Sequence, residues 1–242
     1  MEDYDLEIGS LRFLTIDTNT TFKLRTKDGK RYVFRIYTDE DIDLNEIRAE
    51  MFWLQAIVRD TDLRVAKPIP RRDGEILTVI NLPGVPEELP CAVFTWVPGR
   101  VLEKHLSPEN YYKLGIMMAR LHQHSASLNP LPPEIHPKKW DKVFYFPDEP
   151  IVYNTPEYSH LFPQERITLL SKVINRADEV FSRLYEEEEG LILIHGDLHF
   201  WNVNYHRGDL YLMDFGDISL GYPVQDIGIT LYYGRERDGY PE

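Results

Sequence analysis

An apolar run that stops abruptly on polar side chains constrains this chain more than any other feature. Leu191-Ile-Leu-Ile194 has the composition of a buried strand, and His195-Gly196-Asp197-Leu198-His199-Phe200-Trp201-Asn202 follows at once. Polar groups are thereby delivered to the end of a core strand. A hairpin comes next: Val203 to Tyr205, a His206-Arg207-Gly208-Asp209 turn in which glycine takes the unusual backbone angles, then Leu210 to Met213. It returns the chain to Asp214-Phe215-Gly216-Asp217 near its starting point. Asp197, Asn202 and Asp214 are therefore expected to converge at one edge.

Asp197 suits a base or orienting group for a hydroxyl, and the oxygens of Asn202 and Asp214 suit Mg2+. Taken singly, Asp197 reads as a turn cap and Asp214 as an ordinary loop residue; their ordered spacing with the hairpin is what favours a site. A rival reading makes His195, Asp197 and His199 the ligands of a metal-dependent hydrolase. Against it, Gly196 suggests a loop rather than residues alternating along a strand, and no further ligand cluster is visible.

The first hundred residues read as strands interrupted by one helix. Phe13 to Ile16, Thr21 to Arg25, Lys30 to Tyr37, Ile76 to Ile80 and Cys91 to Trp96 have strand composition, with Asp28-Gly29 as a hairpin turn. Asp43 caps a helix to Arg59, in which Leu44, Ile47, Met51, Leu54 and Val58 recur at three and four. Glu50 shares that apolar stripe. A carboxylate there needs a cation, and Arg35, on the preceding strand and on the face of Val33 and Tyr37, is the natural partner. The pair is either a structural salt bridge or a device for positioning phosphate.

After Val97-Pro98-Gly99 the character changes. Ser107-Pro108 opens a helix whose buried stripe is Leu114, Met118 and Leu121. Asn129 to Pro163 is rich in proline but carries Trp140, Phe144, Tyr145, Phe146, Tyr153, Tyr158 and Phe162, which call for burial over a site. Gln164 to Glu189 is the longest helix, with Ile167, Leu170, Ile174, Ala177, Phe181 and Leu184 on its buried face and Gly190 at its end. His122 and His124 lie within a helix and read as packed or solvent-facing.

The hydrophobic fraction of 43% is that of a folded protein, and a net charge of −13 opposes nucleic-acid binding. Cys91 is the only cysteine, so no disulfide forms within the chain, in keeping with a reducing cytoplasm. The acidic start Met1-Glu2-Asp3-Tyr4-Asp5 is unlike a signal peptide, and no apolar segment is long enough to cross a bilayer. A cytoplasmic protein without membrane partners is expected.

A strand cation, a helix glutamate, an apolar strand ending at a Pro-Gly hinge, His195-Gly-Asp197 with Asn202 five residues on, then Asp214-Phe-Gly: this order resembles the aminoglycoside phosphotransferase and choline kinase-like family. Ala119-Arg-Leu-His-Gln-His-Ser125 and Gly221-Tyr-Pro-Val-Gln-Asp226-Ile also resemble it. His-Gly-Asp where protein kinases have His-Arg-Asp is the form those small-molecule kinases carry. The resemblance implies an α+β, protein-kinase-like, two-lobed fold, with a small β-rich lobe over residues 1–96 and a larger, mostly helical lobe over 97–242. It implies transfer of the γ-phosphoryl group of ATP, with Mg2+, to a hydroxyl of a small molecule. Asp197 is then the catalytic residue, Asn202 and Asp214 hold the metal, and Arg35 contacts the α/β-phosphates with Glu50 behind it. The Thr95 carbonyl and Val97 amide meet adenine, the turn Asp17-Thr18-Asn19-Thr20-Thr21 lies over the phosphates, and Asp226 braces the catalytic loop. Within this resemblance, a nucleotide-binding module without turnover and a protein Ser/Thr kinase stay open. The strand cation departs from the kinase lysine, and the phosphate turn lacks Gly-x-Gly-x-x-Gly. The resemblance also implies helices after Asp226 that complete the acceptor pocket, and the chain ends soon after that residue.

Overall fold

Strand composition in the first third builds a five-stranded antiparallel sheet in the order β1-β2-β3-β5-β4, formed by β1 (Ile8–Ile16), β2 (Asn19–Thr26), β3 (Arg31–Tyr37), β4 (Thr78–Asn81) and β5 (Glu88–Thr95). The computed structural model describes residues 3–16, 18–39, 43–85, 88–144 and 151–235. Alternation along β3 divides its side chains between two layers. Phe34 and Ile36 join Tyr4, Cys91 and Val93 in a small cluster on one face. Val33, Arg35 and Tyr37 turn to the other, against α1 (Leu44–Asp60).

The α1 stripe is buried as its spacing requires: Ile47, Met51 and Leu54 are out of solvent, and Asp43 caps the helix through the Asn45 amide at 2.9 Å. Trp53, wholly buried, sets its ring edge-on to Phe215 at 5.5 Å, so α1 packs on the segment that carries Asp214. Burial of a ring that size is worth roughly 3 kcal/mol. One core cluster runs through α1, Ala92 and Phe94 of β5, and the interior of the helical region.

Beyond β5, β6 (Arg100–Val101) and a 3-10 turn at Leu102–His105 lead into α2 (Pro108–Ser127), where the Ser107 hydroxyl accepts from the Asn110 amide at 3.2 Å. Leu114, Met118 and Leu121 are buried along α2, and His122 and His124 are buried with them. Then follow α3 (Gln164–Glu187), β7 (Ile192–Ile194), β8 (Val203–His206), β9 (Asp209–Leu212), β10 (Ser219–Gly221) and α4 (Pro223–Gly234). β6, β8 and β9 form a three-stranded sheet, and β7 pairs antiparallel with β10. No helix of the described residues is long and apolar enough to cross a membrane.

Three expectations change. The stripe on α3 faces inward but none of its residues is buried, and Leu169 and Val173 are largely exposed, because this helix covers the helical region from outside. It also stops at Glu187, with Glu188 in the left-handed conformation at φ 52°. The described aromatics between 129 and 163 are only half-buried or more exposed; Phe144 stacks on Tyr153 at 6.4 Å, and Trp140 is tied by its amide to the Leu220 carbonyl. Tyr145 and Phe146 lie outside the described residues. Finally, α4 and β10 appear where no element was read from the sequence.

Candidate active site

Gly196 makes the loop after β7 possible. It sits at φ 81°, and a side-chain carbon there would come 2.0 Å from the Asp217 carbonyl oxygen. Only glycine allows that approach. From the other side Asp226, on α4 and fully buried, accepts the His195 amide on Oδ2 at 3.0 Å and the Gly196 amide on Oδ1 at 2.9 Å. His122 of α2 adds its Nε2 to Asp226 Oδ2 at 2.8 Å. The loop is thus held by a carboxylate between two helices.

Within the loop, Asn202 Nδ2 donates to Asp197 Oδ2 at 2.7 Å and to the Asp197 carbonyl at 3.0 Å. Both partners are acceptors, which fixes the amide orientation and leaves Asn202 Oδ1 unused by these bonds. The β8–β9 hairpin turns at Arg207 (φ 53°) and Gly208 (φ 92°), a two-residue reversal with positive angles at both positions. Its register brings the Met213 amide to the Asn202 carbonyl at 2.9 Å, so Asp214 emerges beside Asn202. Asp214 adopts φ 57° with its side chain 57% exposed.

Across the cleft, Arg35 Nη1 donates to Glu50 Oε1 at 2.9 Å, and Arg35 Nη2 to Asp214 Oδ1 at 3.2 Å. Glu50 Oε2 accepts from the Tyr37 hydroxyl at 2.8 Å. The guanidinium also lies 5.2 Å over the Phe94 ring. Burial alone would lower the Arg35 pKa, but the charges of Glu50 and Asp214, with the nearby Tyr37 hydroxyl as a hydrogen-bond partner, more than reverse this and hold it above its ordinary value. Burial pushes Glu50 up, and the Arg35 charge and the Tyr37 hydrogen bond pull it part of the way back.

A cavity of about 390 Å³ opens between sheet and hairpin. Arg35, Glu50, Asn202 and Asp214 are in its walls, with Val33, Phe94 and Thr95. Asp197 is not itself in the wall but is bonded to Asn202, which is. At the hinge, Thr95 donates its amide to the Lys67 carbonyl at 2.8 Å, and the Lys67 amide goes to the Thr95 hydroxyl at 2.9 Å. Neither bond uses the Thr95 carbonyl. Val97 lines the same cavity. A larger space, about 840 Å³, shares residues 95–97 but contains none of Arg35, Glu50, Asp197, Asn202 and Asp214.

Asn19 and Thr20 are not brought to this cavity; Leu14 and Thr21 are. The expected turn is shorter, because the run of threonines extends β2 back to Asn19, and Ile16 pairs with Thr20. Asp17 lies outside the described residues. The hydrolase reading loses its geometry: among the described residues no three of His, Cys, Asp and Glu gather in a metal-holding group. His195 Nε2 is taken by the Met213 carbonyl at 2.9 Å, while His199 Nδ1 accepts the Trp201 amide at 3.2 Å.

Two residues near the site were not singled out for it by the sequence. Tyr37 was visible as a neighbour of Arg35 on β3, yet nothing in its spacing signals a bond to Glu50. Asp217 stands with two carboxylates near it, and its own carboxyl is raised first by loss of water and then by the Asp197 charge. Its position three after Asp214 was the available signal.

Known proteins show the family and the fold of this chain. The family described as APH, phosphotransferase enzyme family, matches residues 15–241. An amicoumacin kinase of Bacillus subtilis (strain 168) is 26% identical over 233 residues, which are 95% of this chain and 64% of that protein. The chain therefore spans less than two thirds of that curated relative. Among solved structures, an amicoumacin kinase in complex with AMP-PNP, Ca2+ and Ami superposes with TM-score 0.72 at 22% identity, covering 98% of this chain and 68% of that one. A microcompartment-associated aminopropanol kinase gives TM-score 0.69 at 23% identity, over 95% and 71%. A spectinomycin phosphotransferase in complex with ADP and spectinomycin gives 0.61 at 14%, over 96% and 70%. The architecture is the mixed α+β, kinase-like one of these proteins, and this chain belongs to the APH phosphotransferase enzyme family.

Proposed function

We propose that this chain transfers the γ-phosphoryl group of ATP, as its Mg2+ complex, to a hydroxyl of a small molecule. The observation that carries this reading is the convergence, around one cavity, of a buried Arg35–Glu50 pair from the sheet with Asn202 and Asp214 from the hairpin and with the hydrogen-bonded Asp197. In this reading residues 1–96 form the nucleotide lobe and 97–242 the catalytic and acceptor lobe. Adenine sits at the hinge on the Thr95 carbonyl and Val97 amide. Arg35 meets the α/β-phosphates, and Asn19 and Thr20 stand back from them in β2.

The residues present fit a divalent cation: Asn202 keeps a free amide oxygen and Asp214 offers an exposed carboxylate beside it. The bound cation supplies charge neutralisation on the phosphate oxygens. Asp197 orients the acceptor hydroxyl and takes its proton as the new oxygen–phosphorus bond forms and the bridging bond to the β-phosphate breaks, releasing ADP. Catalysis is then chiefly positioning. Binding without turnover is the second reading, favoured by Arg35, which occupies the Asp214 carboxylate.

Replacing Asp197 with Asn separates the two. With a panel of amino alcohols and aminoglycosides as acceptors, ADP release by the native chain should fall by about 10³-fold in the variant, while thermal stabilisation by AMP-PNP and Mg2+ persists. Nucleotide binding with no ADP release on any acceptor would leave the binding module as the reading.

A further inference from the structure

Tyr37 carries a role that no part of the proposed reaction assigns to it. Glu50 lies 2% exposed on α1. A buried carboxylate facing a guanidinium frequently takes two parallel bonds, one on each oxygen. Here it takes one. Arg35 gives Nη1 to Oε1 and sends Nη2 across the cleft to Asp214, while its buried Nε makes no well-aligned hydrogen bond, the Tyr37 hydroxyl standing close to the guanidinium. A buried donor left unsatisfied is costly, and Glu50 Oε2 would be an acceptor for it. Oε2 is instead held by the Tyr37 hydroxyl at 2.8 Å.

We propose that Tyr37 is a positioning residue: by occupying Glu50 Oε2 it prevents the two-pronged Arg35–Glu50 pairing and keeps Arg35 Nη2 directed into the cleft. Tyr37 is itself 1% exposed, and burial together with the Glu50 charge holds its hydroxyl protonated well above neutral pH, so it remains a donor. Its place two residues after Arg35 on β3 puts both side chains on the α1 face. Without the hydroxyl, the guanidinium and Glu50 turn so that Oε1 and Oε2 take the two parallel donors of one edge of the fork, Nε and Nη2. The guanidinium turns towards α1, and Nη2 no longer reaches across. This deepens the phosphotransferase reading and rests on it for its consequence, although the pairing itself does not.

The test uses the full chain and two readouts. In 15N-arginine-labelled protein, the Arg35 Nε–H of the native chain should resonate as an unbonded, solvent-protected donor; in Tyr37→Phe it should move downfield as it bonds Glu50. By calorimetry, AMP-PNP with Mg2+ should bind Tyr37→Phe about tenfold more weakly than the native chain. In the Arg35→Lys background, where no fork exists, the same change should alter affinity less than twofold. An Arg35 Nε–H already bonded in the native chain, or unmoved in Tyr37→Phe, overturns the proposal. So does an equal loss of affinity in both backgrounds, which would mark Tyr37 as merely structural. If AMP-PNP fails to bind the native chain, the nucleotide reading fails instead, and the Nε–H signal still decides the role of Tyr37. Should Tyr37→Phe fold poorly, Tyr37→Met, which also lacks the hydroxyl, takes its place with the same expected shift.

Discussion

His122 Nε2 lies 2.8 Å from Asp226 Oδ2, a buried contact that joins α2 to α4 directly behind the His195-Gly196-Asp197 loop. Asp226 serves three donors at once: this imidazole and the amides of His195 and Gly196. Replacing Asp226 with Ala leaves all three without their acceptor in a dry site, and a loss of about 3 kcal/mol is expected in urea unfolding. A loss below about 1 kcal/mol would mean that water or a neighbouring group takes over.

The Arg35–Glu50 pair allows stability and function to be separated. Arg35→Met alone strands the Glu50 charge in the core and should cost roughly 3–5 kcal/mol. The double change Arg35→Met with Glu50→Leu removes both charges and should restore stability to within about 1 kcal/mol of the native chain. It should not restore nucleotide binding. Recovery of AMP-PNP affinity in the double variant would return the pair to a structural role.

Gly99 should tolerate no side chain. At φ 95°, a carbon there falls 2.2 Å from the Tyr205 carbonyl oxygen, a backbone atom of β8 that cannot step aside. Gly99→Ala is expected to lose more than about 2 kcal/mol, whereas Gly208→Ala, with a similar φ of 92° but open space around it, should lose only about 1 kcal/mol. Equal losses at the two positions, measured by thermal unfolding, would show that backbone angle rather than the close approach decides.

Acid stability has an identifiable contributor in Asp60, at the end of α1. Its bond to Arg59, assisted by His124 of α2, holds the carboxyl at about 2 against 3.8 for the free group. The folded form thus binds its proton less readily than the unfolded chain. The stabilisation is present above pH 3.8 and fades as the pH falls to about 2. Asp60→Asn should therefore be less stable than the native chain at neutral pH and converge with it at pH 2. A constant gap across that window would place the stabilisation elsewhere.

What the sequence made legible was local and strongly patterned. The α1 stripe declared itself because apolar residues at three and four spacing leave Glu50 nowhere to go but inward, and a buried carboxylate requires a cation such as Arg35. The hairpin from Val203 was readable because Arg207-Gly208 can supply two positive backbone angles. The missing parts depend on distance. β10 is three residues long and exists only because β7, some 25 residues earlier, offers it an edge. α4 begins with Pro223 and contains Gly228 and Gly234, which weaken any helical signal, and packing of Asp226 and Thr230 against the loop decides the matter. The amphipathic face of α3 gave its direction correctly but not its depth, since periodicity reports which side is covered and not how completely.

The two-residue reversal at Arg207-Gly208 also acts as a ruler. Asn202 and Asp214 are neighbours only because equal lengths of chain run out to the tip and back, with Val203 opposite Leu212 and His206 opposite Asp209. Adding one residue to each arm slides the tip outward and leaves the base in place. Adding one residue to a single arm shifts the return strand by half a repeat, turns its side chains to opposite faces and carries Asp214 away from Asn202. Length variation in this hairpin is thus tolerated in matched pairs and punished when odd, so that the spacing between two distant oxygens is written into the parity of a loop.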